Sequence, residues 1–405
     1  MPQHRRILLA DADAFFVAVA RLVDPDGAGR EPLLIVGGTR ESRGVVCSAS
    51  YETRKYGVRS AMPISRALRL CPDAVCVPVP RKACSEKHRE IRAVLERHAP
   101  AVEGASIDEW YLDLGGTEAL YHDETLAVTA ARIRADVVRQ TGISVSIGGG
   151  TSKLIAKLAV EHAKPRPENS ATGIHVVSAG AEAEFMGGIM LAEIPLIGPR
   201  FQERLARLGM RSVPDVLQYD QATLAYWLGK REAAWLCNRV RGIDSAHVET
   251  DLDAKSISRD ETFAVDIDDD AELRRELLAL LTRAAADLRA DGMAARTIRV
   301  KIRDWDFRTR LASRTLDRAV IADRVMLTVA QSLLRKLRAA RRVPARLLGV
   351  ALSSFAFDST ADQLNLFDAM DSRLVETERD RKVARVVDRV RSRFGDKGIL
   401  PGGLI

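Results

Sequence analysis

The stretch Ala105-Ser106-Ile107-Asp108-Glu109-Trp110-Tyr111-Leu112-Asp113 decides how this chain is read. Before it runs Ala101-Val102-Glu103-Gly104-Ala105 and within it Tyr111-Leu112-Asp113-Leu114, two segments whose alternation suits strands, closed by Gly115-Gly116. The pattern is a hairpin with acids at its tip. Consecutive side chains of a straight strand point to opposite faces, so neighbouring carboxylates converge only where the chain turns. Once together they repel and raise each other's pKa unless a cation lies between them, and hard Mg²⁺ suits such oxygen ligands. By itself an Asp-Glu pair is more often a solvated acidic turn, so other residues must decide.

Ile7 to Ala10 is a short apolar run suited to a buried strand, and Asp13 to Ala20 continues as a helix. Asp13 reads as the N-cap of that helix and is given a structural role. Asp11 falls at the strand's end with no such explanation. A third carboxylate beside the hairpin acids completes a ligand set for two divalent ions, which activate a hydroxyl and steady a pyrophosphate leaving group.

Residues 22–80 look like an inserted lobe, from Asp24-Pro25-Asp26-Gly27 to Val77-Pro78-Val79-Pro80. On a helix Tyr51 and Arg54 are i, i+3 neighbours able to reach one anion, although a surface ion pair with Glu52 or a nearby acid explains Arg54 as well. Gly148-Gly149-Gly150 lead into a helix from Lys153 to Ala163 without the spacing of a Walker A loop. The glycines equally serve close packing of strand and helix. Lys164 at that helix end is either a dipole-compensating cation or a phosphate contact.

The length, 405 residues, suggests two to four domains, and 46% hydrophobic with 29% charged residues is a globular composition. A formal charge of +7 is compatible with a polyanionic partner. The five cysteines, 47, 71, 76, 84 and 237, contain no C-x-x-C, which argues against zinc and disulfides and for a reduced, cytoplasmic protein. Asp11 and Asp13 interrupt the one stretch that resembles a signal peptide, and no run reaches the ~18 apolar residues of a membrane span.

Two hairpin-and-helix units follow, at Ile194 to Gly209 and Leu228 to Asp244, able to offer amides to a phosphate backbone, although generic helix packing explains the pattern nearly as well. Residues 256–355 have the order strand, helix, strand, strand, helix, strand. Between Arg296 and Arg346 stand 15 Lys or Arg against four Asp, a net +11, whose natural counterpart is a nucleic-acid backbone. Past Phe357 the composition turns polar around Gln363-Leu364-Asn365-Leu366-Phe367, whose apolar side chains need a partner groove or the chain's own surface to cover them. Ser372 to Phe394 suits a charged helix built around Val383, Val386, Val387 and Val390.

Asp11-Ala12-Asp13-Ala14-Phe15-Phe16, Ser50-Tyr51-Glu52-Thr53-Arg54-Lys55-Tyr56-Gly57, Ser106-Ile107-Asp108-Glu109 and Ala163-Lys164-Pro165 occur in the order and at the separations seen in Y-family translesion DNA polymerases. The chain resembles that family, in its bacterial branch, from residue 5 to about 355 and again through 363–367. The resemblance implies a multidomain α+β right hand. A ferredoxin-like palm occupies 1–21 and 81–182, small fingers 22–80, a helix-hairpin-helix thumb 183–248, a linker 249–255, a βαββαβ little finger 256–355 and a tail 356–405. It implies an error-prone enzyme that extends a primer on template DNA with dNTPs and bypasses damaged bases.

Under the same resemblance Asp11, Asp108, Glu109 and the carbonyl of Ala12 hold two Mg²⁺, while Tyr51, Arg54 and Lys164 hold the triphosphate. Phe16 matches a steric gate against ribose, and Cys47 and Ser48 match residues that roof the nascent base pair. Arg299, Lys301, Arg303, Arg308, Arg310 and Arg314 are the expected contacts to the DNA backbone. Gln363 to Phe367 resembles a peptide that docks on the bacterial sliding clamp. The expected protein is a monomer, off the membrane and associated with the nucleoid. Two departures stand out: Trp110, where members often have a small residue, and Leu196, where they usually have glycine. A polymerase-like scaffold that binds DNA and clamp without chemistry is the alternative, and a palm-fold nucleotide cyclase is a third reading.

Overall fold

Alternation along the first strand sets the architecture. In Ile7–Ala12 every residue is buried, with Leu8, Ala10 and Ala12 in one apolar core and Ile7 and Leu9 in another on the opposite face. A strand covered on both sides must be central, and this one is. The structure is a computed structural model that describes residues 4–122, 124–165, 172–250, 253–357, 374–395 and 398–402.

The chain divides into two compact units, 1–252 and 253–405. The first opens with β1 (Ile7–Ala12) and α1 (Phe15–Val23). A small lobe follows: β2 (Leu34–Val36), β3 (Ser48–Ala49), α2 (Tyr51–Arg54), α3 (Ile64–Leu70) and β4 (Val75–Val77). The chain then returns through α4 (Arg81–Leu95), β5 (Ala101–Gly104), β6 (Glu109–Asp113), α5 (Leu126–Thr141), β7 (Val145–Gly150), α6 (Lys153–Ala163) and β8 (Ile174–Val176). The large sheet has the order β5-β6-β1-β7-β8, and its first four strands have ferredoxin-like connectivity. The lobe has its own sheet, β3-β2-β4.

Glycine fixes how closely α6 lies on the large sheet. A Cβ on Gly148 would stand 2.2 Å from Val160 N and 2.3 Å from Ala156 O, so the glycine-rich strand admits the helix backbone itself. Of the two uses open to these glycines in the sequence, close packing is the one observed.

Five helices complete the unit: α7 (Glu182–Gly187), α8 (Pro199–Arg207), α9 (Val213–Leu217), α10 (Gln221–Leu228) and α11 (Lys230–Arg239). The loop before α8 turns at Leu196, which is 79% exposed and left-handed at φ 73°. The departure from glycine therefore keeps a glycine-like backbone at the cost of strain. Leu196→Gly is expected to stabilise the protein by about 0.5–1 kcal/mol net of the extra chain entropy, read as a higher thermal midpoint.

The second unit is β9 (Ser256–Ile267), α12 (Asp270–Ala290), β10 (Met293–Asp304), β11 (Thr309–Val320), α13 (Asp323–Ala340), β12 (Ala345–Phe357) and α14 (Glu378–Phe394). Its sheet runs β11-β10-β12-β9, and both long helices bury their leucine faces against one side of it.

The tail helix forms, but of the four valines only Val387 and Val390 are half-buried and none is fully buried. Val383 and Val386 are exposed, Ala384 is its buried residue, and polar bonds carry the docking. Arg289 binds both oxygens of Asp388 at 2.5 and 2.9 Å, Arg324 binds Asp380 at 2.8 Å, and the Glu376 carboxylate accepts from Ile321 N and Ala322 N at 2.7 and 2.5 Å. Glu376 thereby caps α13, whose own N-cap, Ala322, offers no side chain. Hydrogen bonding from Arg324 holds the Asp380 carboxyl well below the usual range. A depressed carboxylate stabilises above its unfolded pKa of ~3.9 and loses that contribution as pH falls. Acid below about pH 4 is therefore expected to loosen α14 first, seen as faster hydrogen exchange in 378–394 than in α12.

Candidate active site

The register of the central strands brings two of the acids together and ties the third to them by its backbone. Asp11 lies opposite Glu109 across β1 and β6, and Ala12 N donates to Asp108 O at 2.9 Å, which ties the hairpin turn to the end of β1. By the same alternation Asp11 and Glu109 lie on the α6 side, whereas Ala10 and Trp110 face the opposite core.

Helix α6 and the residue that ends it answer the acids with two lysines seven residues apart. Lys157 Nζ is 2.6 Å from Glu109 Oε1 and 3.9 Å from Asp11 Oδ2, and Lys164 Nζ is 2.9 Å from Asp11 Oδ2 and 2.7 Å from Glu161. Sequence reasoning missed Lys157. Its signal was the i, i+7 spacing from Lys164, two turns along one helix face. The Asp11 side chain is only 7% exposed, and desolvation pushes its pKa up to about 7 against the pull of Lys164. Burial draws the Lys164 ammonium down, but Asp11 and Glu161 outweigh it and hold its pKa above the usual lysine range.

Asp108 does not converge with the other two carboxylates. It accepts from Ser106 Oγ at 2.5 Å, and no cation-ready group of three ligands is formed among the described residues. The donor set nonetheless suits Mg²⁺: hard oxygens on adjoining strand ends, one of them a buried carboxylate that gains from added positive charge. An ion held by all three carboxylates would need Asp108 to turn from Ser106 and Lys164 to leave Asp11.

Trp110 is fully buried and stacks on His88, with ring centroids 5.0 Å apart. It packs behind the acids rather than among them, and its Nε1 has no hydrogen-bond partner among the described residues. His88 Nδ1 lies 2.9 Å from Ile107 O, so the pair braces the acidic turn from the α4 side.

Asp13 is not the N-cap expected. Ala14 holds that position at φ 46° without a side-chain bond, and Asp13 accepts from Ser144 Oγ and Ser146 Oγ, each at 2.7 Å. Its role is still structural, because it joins the end of β1 to β7.

In the small lobe the Arg54 guanidinium lies 4.8 Å from the Tyr51 ring centroid, and its Nε donates to Ala49 O at 2.9 Å. An ion pair with Glu52 is not formed among the described residues. Burial, then Asp13, raises the Tyr51 phenol, which stays a neutral donor. Phe16 is half-buried and meets Phe15 edge-on at 5.6 Å. Cys47 is half-exposed, whereas Ser48 is only 5% exposed within β3.

The second unit divides the six expected DNA contacts. Arg299, Lys301 and Arg303 alternate with buried Ile298, Val300 and Ile302, so they lie on the sheet face away from the helices. Arg314 and Arg310 pair with Ile298 and Ile302 and belong to the helix side. Arg310 is turned inward, with Nη2 2.7 Å from Asp304 Oδ1 and Nη1 on Leu337 O, so it is a brace and not a surface contact. Arg308 stands in the turn, and Lys301 is bound to Asp260. The clamp-like segment 363–367 lies outside the described residues.

A ferredoxin-like sheet with acids at its strand ends, a small lobe bearing a phenol and a guanidinium, and a separate basic βαββαβ unit define a template-using polymerase. Comparisons with known proteins agree. Models of the impB/mucB/samB family and of its C-terminal domain match residues 10–161 and 254–366. DNA polymerase IV of Dehalococcoides mccartyi (strain CBDB1) is 34% identical over 98% of this chain and 97% of its own length. DNA polymerase IV of Methanoculleus marisnigri is 37% identical over 86% of this chain and 94% of its own. Among solved structures, a Y-family DNA polymerase chimera of Dbh and Dpo4 superposes with a TM-score of 0.76 at 25% identity, covering 87% of this chain and 99% of that one. The insertion ternary complex of Dbh DNA polymerase gives 0.60 at 26%, covering 86% and 98%. The chain belongs to the Y family of DNA polymerases, and is a DNA-directed DNA polymerase similar to DNA polymerase IV. Among the described residues no helix is long and apolar enough to cross a membrane.

Proposed function

We propose that this polymerase extends a primer 3′-hydroxyl with dNTPs by a two-metal-ion reaction and copies past damaged template bases. The observation that carries the proposal is the pairing of Asp11 with Glu109 across β1 and β6, with Asp108 bonded to Ala12 in the adjoining turn. Two Mg²⁺ held by Asp11, Asp108, Glu109 and the Ala12 carbonyl would supply Lewis-acid activation of the hydroxyl and charge neutralisation at the phosphates.

The protein's own groups do the rest. Lys164 exchanges Asp11 for the triphosphate, which Tyr51 and Arg54 grip from the small lobe. Lys157 stays on Glu109 and fixes its orientation. Cys47 and Ser48, both small, leave room above the nascent base pair. Arg299, Lys301 and Arg303 hold the primer-template by its phosphates, which grips DNA of any sequence. Residues 363–367 dock on the bacterial sliding clamp, and the enzyme works as a monomer in the cytoplasm, at the nucleoid.

Phe16 excludes ribonucleotides by contact with the 2′-hydroxyl. Phe16→Ala is expected to improve rNTP incorporation relative to dNTP by about one to two orders of magnitude, the range of a relieved steric overlap. Competing rNTP and dNTP on one primer measures it, and unchanged sugar discrimination removes Phe16 from the role. The function itself is tested by extending one primer opposite an undamaged base and opposite an abasic site. Extension through both supports bypass, and a stop at every abasic site contradicts it.

A further inference from the structure

The turn between β10 and β11 presents two large aromatics to solvent. Trp305 is 55% and Phe307 63% exposed, and Phe307 is left-handed at φ 64°, a conformation that disfavours a bulky side chain. Stability alone would place a small polar residue or glycine there.

The turn is rigid from below. Asp304, with 0% exposure, receives Arg310 at 2.7 and 3.1 Å and Arg341 at 2.5 Å, and Arg341 also holds Asp306 at 3.0 Å. Trp305 N donates to Pro344 O at 3.1 Å, and Phe307 N to Asp304 O at 2.9 Å. Both acids of the turn are thus neutralised internally. What the turn shows outward is net positive: the Arg308 side chain is 74% exposed although it also lies 3.4 Å from the Asp306 carboxylate that Arg341 already holds, and the Arg346 guanidinium lies 4.6 Å from the Phe307 ring centroid. Exposed rings interleaved with arginine on a fixed support offer stacking to bases and charge to phosphates, the chemistry that recognises single-stranded nucleic acid.

We propose that the Trp305-Asp306-Phe307-Arg308 turn is a stacking platform for the unpaired template strand. The proposal rests on template use by this enzyme and adds to it a contact made with bases outside the duplex. The platform takes any base, because every base has a π-face.

The test compares three primer-templates by equilibrium binding: one blunt, one with a 5′ template overhang of normal nucleotides, and one whose overhang is an abasic spacer chain of the same length. The spacer keeps the phosphates and removes the bases. Wild-type protein should bind the normal overhang about tenfold more tightly than the spacer overhang. The double variant W305A/F307A should lose that preference while keeping its affinity for blunt DNA, and its thermal midpoint should show it folded. Loss of blunt binding by the wild type would fail the polymerase reading, separately from the platform. A wild type indifferent to bases, or a variant that keeps the preference, overturns the platform. A variant with unchanged overhang binding but weakened binding to purified sliding clamp also overturns it, and assigns the turn to a protein partner.

Discussion

Replacing Asp108 with alanine is expected to lower primer extension at least about a thousandfold, the equivalent of ~4 kcal/mol of transition-state stabilisation from correctly held ions. The fold should not notice. Asp108 sits in a turn, its side chain bonds only Ser106 among the described residues, and the turn is fixed by backbone bonds: Ala12 N to Asp108 O, and Ala105 N to Glu109 O. Removing a half-exposed carboxylate there is expected to shift stability by less than about 1 kcal/mol. Single-turnover extension and a thermal melt of the same sample separate the two effects. A folded Asp108→Ala protein that extends primers normally would remove Asp108 from the ion site.

The second large effect is expected in the other unit. Asp304→Ala should destabilise residues 253–405 by about 3–5 kcal/mol, because the variant leaves Arg310 and Arg341 around a buried site whose charge has gone. Partial compensation survives, since Arg310 keeps the Leu337 and Arg341 carbonyls and Arg341 keeps Asp306. Asp304→Asn, which retains shape and acceptor, should cost less than the alanine. Hydrogen exchange of β10 and α13 amides in the full chain reads this locally, which suits a two-unit protein whose melting is not one transition. Wild-type protection in the alanine variant would mean that the buried carboxylate does not brace the module.

Much of this was legible in the sequence, and the limits have physical causes. The acidic hairpin could be read because alternation fixes both strand and face. Lys157 could be put on the face of Lys164 by its i, i+7 spacing but not beside Glu109, because that contact depends on how closely α6 lies on β7. That distance is set where Gly148 meets the backbone of Ala156 and Val160, a contact between strand and helix that exists only in three dimensions. Asp13 failed as a cap because its partners, Ser144 and Ser146, are 131 and 133 residues away and compete with the first helical turn. Summing charge over 296–346 identified a basic module but not its faces. The period of two within β10 and β11 sends Arg299 and Arg310 to opposite sides, and a buried Asp304 recruits Arg310 and Arg341. In the tail, the valines suggested an apolar seam, whereas Asp380, Asp388 and Glu376 find arginines and backbone amides on α12 and α13.

The claim on which the mechanism depends is that Asp11, Asp108 and Glu109 together hold two divalent ions. Counting Mn²⁺ bound per chain, by electron paramagnetic resonance with a dideoxy-terminated primer-template and the next dNTP present, tests it most directly. Two ions on the wild-type protein, with at least one lost on Asp108→Ala, is the result expected. An unchanged count in the variant, or fewer than two ions on the wild type, would contradict it.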